Sequence, residues 1–154
     1  MRANHLTDQP VDVLIAEDDP DVRLMVRSLL EGQGYTCAEA DNGQEAVAIA
    51  RQRPPRLVLM DLMMPGVDGF SAAELLRSDP RTRGVPIHCL TALDFPAARR
   101  AAERAGCEGF LPKPFDMKGL LGAVRVALES GRAGVPRPAA PTASPVPSGQ
   151  PAEV

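Results

Sequence analysis

Glu17, Asp18 and Asp19 run together directly after one apolar stretch, Asp61 follows another, Thr91 a further one, and Lys113 stands between Pro112 and Pro114 after the last. Carboxylates brought to one place repel each other by about 4 kcal/mol per pair at 4 Å and an effective dielectric near 20, unless a cation lies among them. Oxygen-only donors favour Mg²⁺, which takes one or two carboxylates, keeps several waters and leaves room for phosphoryl oxygens. A lysine ammonium nearby balances phosphate charge, and a threonine hydroxyl donates to a phosphoryl oxygen. These residue types together suit phosphoryl transfer. They offer no Ser/His pair for hydrolysis: His5 and His88 are the only histidines, and His88 falls inside a predicted buried strand, where a core role is expected.

Whether these groups meet depends on the elements that carry them. Short apolar runs alternate with segments of helical period, the pattern of successive βα units on a parallel sheet. Strands are predicted over Val11–Ala16, Tyr35–Ala40, Arg56–Met60, Val85–Leu90 and Gly109–Leu111. The first helix follows Asp19 as its cap, with Pro20 in the first turn and Val22, Met25, Val26 and Leu29 on one face, and ends at Gly32 or Gly34. The others are predicted over Gln44–Arg51 (capped by Asn42), Ser71–Arg77, Ala97–Ala105 and Asp116–Glu129, the last ending at Gly131. The fourth offers its core only Ala98, Ala101, Ala102 and Ala105, so it is expected to be the least firmly anchored. In an open parallel sheet, ligands bind outside the carboxyl ends of the strands, where the acidic residues, Thr91 and Lys113 all fall. Acidic residues at strand ends also serve as helix caps, so each one alone means little.

Four motifs in this order resemble the receiver domain of two-component response regulators, of the chemotaxis-regulator type. They are Val13-Leu14-Ile15-Ala16-Glu17-Asp18-Asp19-Pro20, Asp61-Leu62-Met63-Met64-Pro65-Gly66-Val67-Asp68-Gly69, Leu90-Thr91-Ala92 and Phe110-Leu111-Pro112-Lys113-Pro114-Phe115. The resemblance implies an α/β fold: a doubly wound, flavodoxin-like five-stranded parallel sheet with five helices, in strand order 2-1-3-4-5. It further implies that Asp61 is the phosphoacceptor for a phosphohistidine on a sensor histidine kinase or histidine phosphotransfer protein. Mg²⁺ would be held by Asp18, Asp61 and the backbone carbonyl of Met63, with Glu17 acting through a metal-bound water. Asp18 with Asp19 is the alternative acidic pair, and it leaves Pro20 without a good cap. Thr91 and Lys113 resemble the switch hydroxyl and the phosphate-binding lysine. Phe110 falls at the switch-aromatic position, where many relatives carry tyrosine; an ordinary core phenylalanine is the other reading. The Lys113–Pro114 peptide is cis in the family. The chain would then be a phosphoacceptor signalling domain rather than an enzyme, passing its signal to a downstream protein by contact.

Met63 and Leu93, two residues after Asp61 and Thr91, are apolar where a polar group could orient a hydrolytic water, so slow loss of the phosphoryl group is expected. A phosphohydrolase of the haloacid dehalogenase type also uses an aspartyl nucleophile, but it wants an acid where Met63 stands. A phosphorylation-independent interaction module is the remaining alternative. Glu108 and Gly109 stand where transcription-factor receivers that pair through helices four and five often carry acidic pairs, which disfavours that dimer.

The 154 residues leave room for one domain, and 44% hydrophobic with 24% charged residues is ordinary for a globular protein. A net charge of −3 and an aromatic content of 3% argue against direct nucleic-acid binding. No apolar run approaches the roughly 18 residues of a membrane span. Cys37, Cys89 and Cys107 lie far apart along the chain without metal-ligand spacing, which argues against a disulfide framework or a zinc site and fits a reducing cytoplasm. The expected division is an N-terminal extension over 1–10, a receiver domain over 11–131 and a Pro/Ala-rich linker or disordered tail over 132–154.

Overall fold

The computed structural model describes residues 10–93 and 95–130; the expected tail, the Gly131 helix stop and most of the N-terminal extension lie outside them. Five strands, β1 (Val13–Ala16), β2 (Cys37–Ala40), β3 (Leu57–Asp61), β4 (Ile87–Thr91) and β5 (Gly109–Pro112), alternate with α1 (Pro20–Gly32), α2 (Gly43–Gln52), α3 (Gly69–Ser78), α4 (Pro96–Ala105) and α5 (Met117–Ser130). The strands form one sheet in the order β2-β1-β3-β4-β5, every pair parallel. This is the expected doubly wound architecture.

Alternation along the strands sorts the core into two layers. Leu14, Ala16, Val58, Met60, Ile87 and Cys89 face α2, α3 and α4, while Val13, Ile15, Leu57, Leu59 and Leu90 face α1 and α5. β1 and β3 are buried at every position, because the central strands are covered on both sides. Burying each of Leu14, Ile15, Leu57 and Leu59 stabilises the fold by roughly 1.5–3 kcal/mol.

Strand boundaries shift by a residue or two, with consequences for the site. β3 and β4 each run one residue further than apolarity suggests, so Asp61 and Thr91 are the last residues of strands rather than the first of loops. The parallel ladder continues through them: Asp61 pairs with Leu90, and Thr91 with Pro112. β1 begins at Val13, although Val11 is buried, and β2 begins at Cys37. α3 starts two residues early because Asp68 caps it, accepting from the Ser71 N–H at 2.8 Å. His88 is half-buried rather than a core residue.

Asp19 Oδ1 caps α1, accepting from the N–H groups of Asp21 (2.9 Å) and Val22 (3.4 Å), and Asn42 caps α2 through Glu45 N–H at 2.8 Å. α4 lacks a side-chain cap and buries only Ala98, Ala102 and Ala105, as the alanine face implied. It packs chiefly on α3.

Candidate functional site

β1 is flanked by β2 on one side and β3 on the other, with their crossovers on opposite faces, so a crevice opens beyond the carboxyl ends of β1 and β3. Glu17 follows β1 and Asp61 closes β3. Glu17 is fully buried and Asp61 is only 4% exposed. One carboxylate oxygen from each of Glu17, Asp18 and Asp61 lies within 4.8 Å of the others, and Asp18 is the exposed member. Asp19 caps α1, so the carboxylates that converge in the crevice are those of Glu17, Asp18 and Asp61. Three hard oxygen donors at this separation, with one open to solvent, fit a Mg²⁺ ion.

Lys113 reaches this cluster from β5. Its backbone N–H donates to the Thr91 carbonyl at 2.8 Å, and the Lys113–Pro114 peptide is cis. Its Nζ lies 2.7 Å from Glu17 Oε1 and 3.3 Å from Asp61 Oδ2. The other oxygens are also engaged: Glu17 Oε2 accepts from Asp19 N–H at 3.1 Å, and Asp61 Oδ1 from Met63 N–H at 2.9 Å. Burial pushes the Glu17 carboxyl up to about 7, against the opposing hydrogen bonds from Lys113 and Asp19 N–H. Burial works to lower the Lys113 ammonium, but the Glu17 hydrogen bond and the Asp61 charge outweigh it and hold the group above its ordinary 10.5.

Thr91 ends β4 at the same edge of the sheet and is 2% exposed. Its Oγ1 accepts from Leu93 N–H at 2.8 Å, which leaves the hydroxyl hydrogen available to another acceptor. Phe110 packs half-buried on the α2–α4 side of the sheet, with the Arg99 guanidinium 5.0 Å from its ring centroid. Met63 is 57% exposed and Leu93 is half-buried.

Close backbone packing holds the strand end in place. A Cβ on Gly69 would lie 2.4 Å from the Asp61 carbonyl oxygen and 2.7 Å from Leu62 Cα, so α3 can begin this near to β3 only with glycine there.

Sequence reasoning missed two arginines. Arg23 Nη1 donates to the Glu17 carbonyl at 2.8 Å while its Nε pairs with Glu39 of β2 at 2.9 Å, bracing the acidic loop from α1. Its place four residues after the Asp19 cap was the available signal. Arg99 over Phe110 depends on the rotation of α4, which no motif records. All three cysteines are free, as expected, but Cys89 and Cys107, distant along the chain, bring their sulfurs to 2.6 Å because β4 and β5 are neighbours.

Comparison with known proteins agrees with this geometry. Residues 13–125 match the model of the response regulator receiver domain. The chain is 35% identical over 116 residues to protein PilH of Pseudomonas aeruginosa, covering 75% of this chain and 96% of PilH. It spans only about half the length of other curated relatives, among them two Synechocystis regulators. Among solved structures, chemotaxis protein CheY4 of Vibrio cholerae superposes with a TM-score of 0.73 at 28% identity, over 77% of this chain and 99% of that one. The receiver domain of the Pseudomonas aeruginosa sensor histidine kinase PA1611, a structure with a magnesium ion coordinated in its active site cleft, superposes with a TM-score of 0.72 at 29% identity, over 79% and 99%. With this sheet order, an acidic crevice that a lysine reaches into, and a family match over most of its length, the chain belongs to the response regulator receiver domain family of two-component signalling.

Proposed function

We propose that Asp61 accepts a phosphoryl group from a phosphohistidine on a sensor histidine kinase or histidine phosphotransfer protein, and that the chain passes this state on through protein contacts. The observation that carries the reading is the Lys113 ammonium, 3.3 Å from Asp61 Oδ2 and 2.7 Å from Glu17 Oε1, beside a nearly buried acceptor. The N–P bond of the donor breaks as an Asp61 O–P bond forms. Lys113 then faces a group carrying about −1.5 to −2 charge and exchanges part of its hold on Glu17 for the new oxygens.

Glu17, Asp18, Asp61 and the Met63 carbonyl are the residues that would hold Mg²⁺, Glu17 through a water. The ion supplies charge neutralisation for the incoming phosphoryl oxygens. Thr91 turns its hydroxyl hydrogen toward the phosphoryl group, drawing the loop after β4 inward. Through that loop α4 shifts, and Phe110 responds by ring packing beneath Arg99. Chemistry is confined to the chain's own phosphoryl group, and the partners are proteins rather than nucleic acid. The receiver unit spans 11–131 and works in the cytoplasm. Among the described residues no helix is long and apolar enough to cross a membrane.

Intact mass after incubation with Mg²⁺ and a small acyl phosphate tests the reading. A gain of one phosphoryl group is expected, and none in Asp61→Asn or with EDTA. A folded wild type that gains nothing would overturn it and favour a phosphorylation-independent interaction module.

A further inference from the structure

The two buried cysteines on the α2–α4 side of the sheet have no part in the acidic crevice. Cys89 lies in the middle of β4 with no exposed surface, and Cys107, 4% exposed, lies in the turn joining α4 to β5. Their sulfurs are 2.6 Å apart, within direct bonding reach, although 18 residues separate them along the chain. The turn is held firmly. Cys107 N–H donates to Ala102 O at 2.9 Å, and the Arg77 guanidinium of α3 donates to Gly106 O from Nε (3.1 Å) and Nη2 (2.6 Å). Gly106 takes φ +114°, where an added Cβ would lie 2.5 Å from Arg77 Cγ. Arg77 therefore fixes the place of Cys107 and puts a positive charge near its sulfur.

We propose that Cys89 and Cys107 are a dithiol–disulfide pair, closed by a small peroxide and reopened by a dithiol reductant, whose bond fastens the end of α4 to β4. The Cys107 sulfur, as thiolate, attacks one peroxide oxygen; the O–O bond breaks, and the departing hydroxide takes up the thiol's proton as water. The resulting sulfenic acid is attacked by the Cys89 sulfur. An S–S bond forms, the S–O bond breaks, and the Cys89 proton leaves with the oxygen as a second water. Two sulfurs give up two electrons in all, and the peroxide takes them. The hydrogen bond from Cys89 and the Arg77 charge lower the Cys107 thiol, which makes it the attacking sulfur. Both sulfurs are buried, so peroxide would reach them by a movement of α4, which buries only Ala98, Ala102 and Ala105, while Arg77 keeps the turn in place. Cys37, on β2 at the far edge of the sheet, is pushed up to about 12 by burial and stays a thiol.

The bond would enclose Thr91 and all of α4 in one covalent loop. It forms independently of any phosphoryl group at Asp61, so its test stands apart from the proposed phosphorylation. The full reduced chain is treated with hydrogen peroxide, alkylated under denaturing conditions and weighed intact, with peptide mapping of the product. Two of the three thiols are expected to become unreactive, in one chain, with a Cys89–Cys107 linked peptide that dithiothreitol abolishes, and Cys37→Ser should give the same link. Three alkylated thiols after peroxide, a link through Cys37 or between chains, or a sulfinic acid at Cys107 without the link would each overturn the proposal.

Discussion

Lys113 of β5 and Glu17 after β1, 96 residues apart, meet at 2.7 Å inside the crevice, with Glu17 fully buried. Glu17 is thus a carboxyl whose water has been replaced by one ammonium and one backbone N–H. Lys113→Ala would leave that carboxyl without its cation and raise it further, so that it takes up a proton, and a loss of about 1–2 kcal/mol is expected from urea denaturation near neutral pH.

The pH dependence of stability has a definite sign. Glu17 is raised from 4.5 to about 7 in the folded state, so its contribution is fully present below about 4.5 and is lost as pH rises through about 7. The raised Lys113 acts only at alkaline pH, contributing below 10.5 and losing that contribution above it. Urea midpoints of wild type and Glu17→Gln should therefore shift in the variant's favour between about pH 5 and about pH 8. The upper bound is about 3 kcal/mol. A difference that stays constant with pH would refute this assignment.

Divalent cation should stabilise the fold through the Glu17, Asp18 and Asp61 oxygens. Mg²⁺ at ten times its dissociation constant is worth about 1.4 kcal/mol, read as a rise in Tm. Asp18→Asn, at the exposed ligand, should abolish the rise while leaving the unliganded Tm nearly unchanged.

Arg99 and Phe110 should be energetically coupled. A double-mutant cycle with Arg99→Ala and Phe110→Leu is expected to return about 0.5–1 kcal/mol, and the cycle cancels whatever else Arg99 touches. Zero coupling would mean that α4 and β5 do not communicate through this contact.

Met63→Asn with Leu93→Glu should speed loss of the phosphoryl group from Asp61, because Met63 is exposed and Leu93 half-buried, both able to present a polar group to a water at the crevice. The check is phosphorylated intact mass followed over time; an unchanged decay rate would count against it.

Much of this was legible in the residues themselves. Apolar runs located all five strands, and the Asp19-Pro20 and Asn42 signals located two helix starts, because caps and burial leave local marks. Asp61 and Thr91 were expected just outside their strands and lie just inside them, since a parallel ladder extends by backbone pairing with a neighbour that apolarity does not encode. Arg99 over Phe110 and the Cys89–Cys107 contact were illegible for a related reason. Each depends on which strands are neighbours or how a helix is rotated, and both are set by the whole fold.

The rims of the sheet have one more consequence. β2 is four residues long and carries Glu39, held inward by Arg23 and Arg27, while β5 is four residues long and ends in Pro112, which has no N–H to give. Short strands, an inward charge and a terminal proline make poor templates for a further strand. Both outer edges are thereby protected from the edge-to-edge pairing that seeds aggregation.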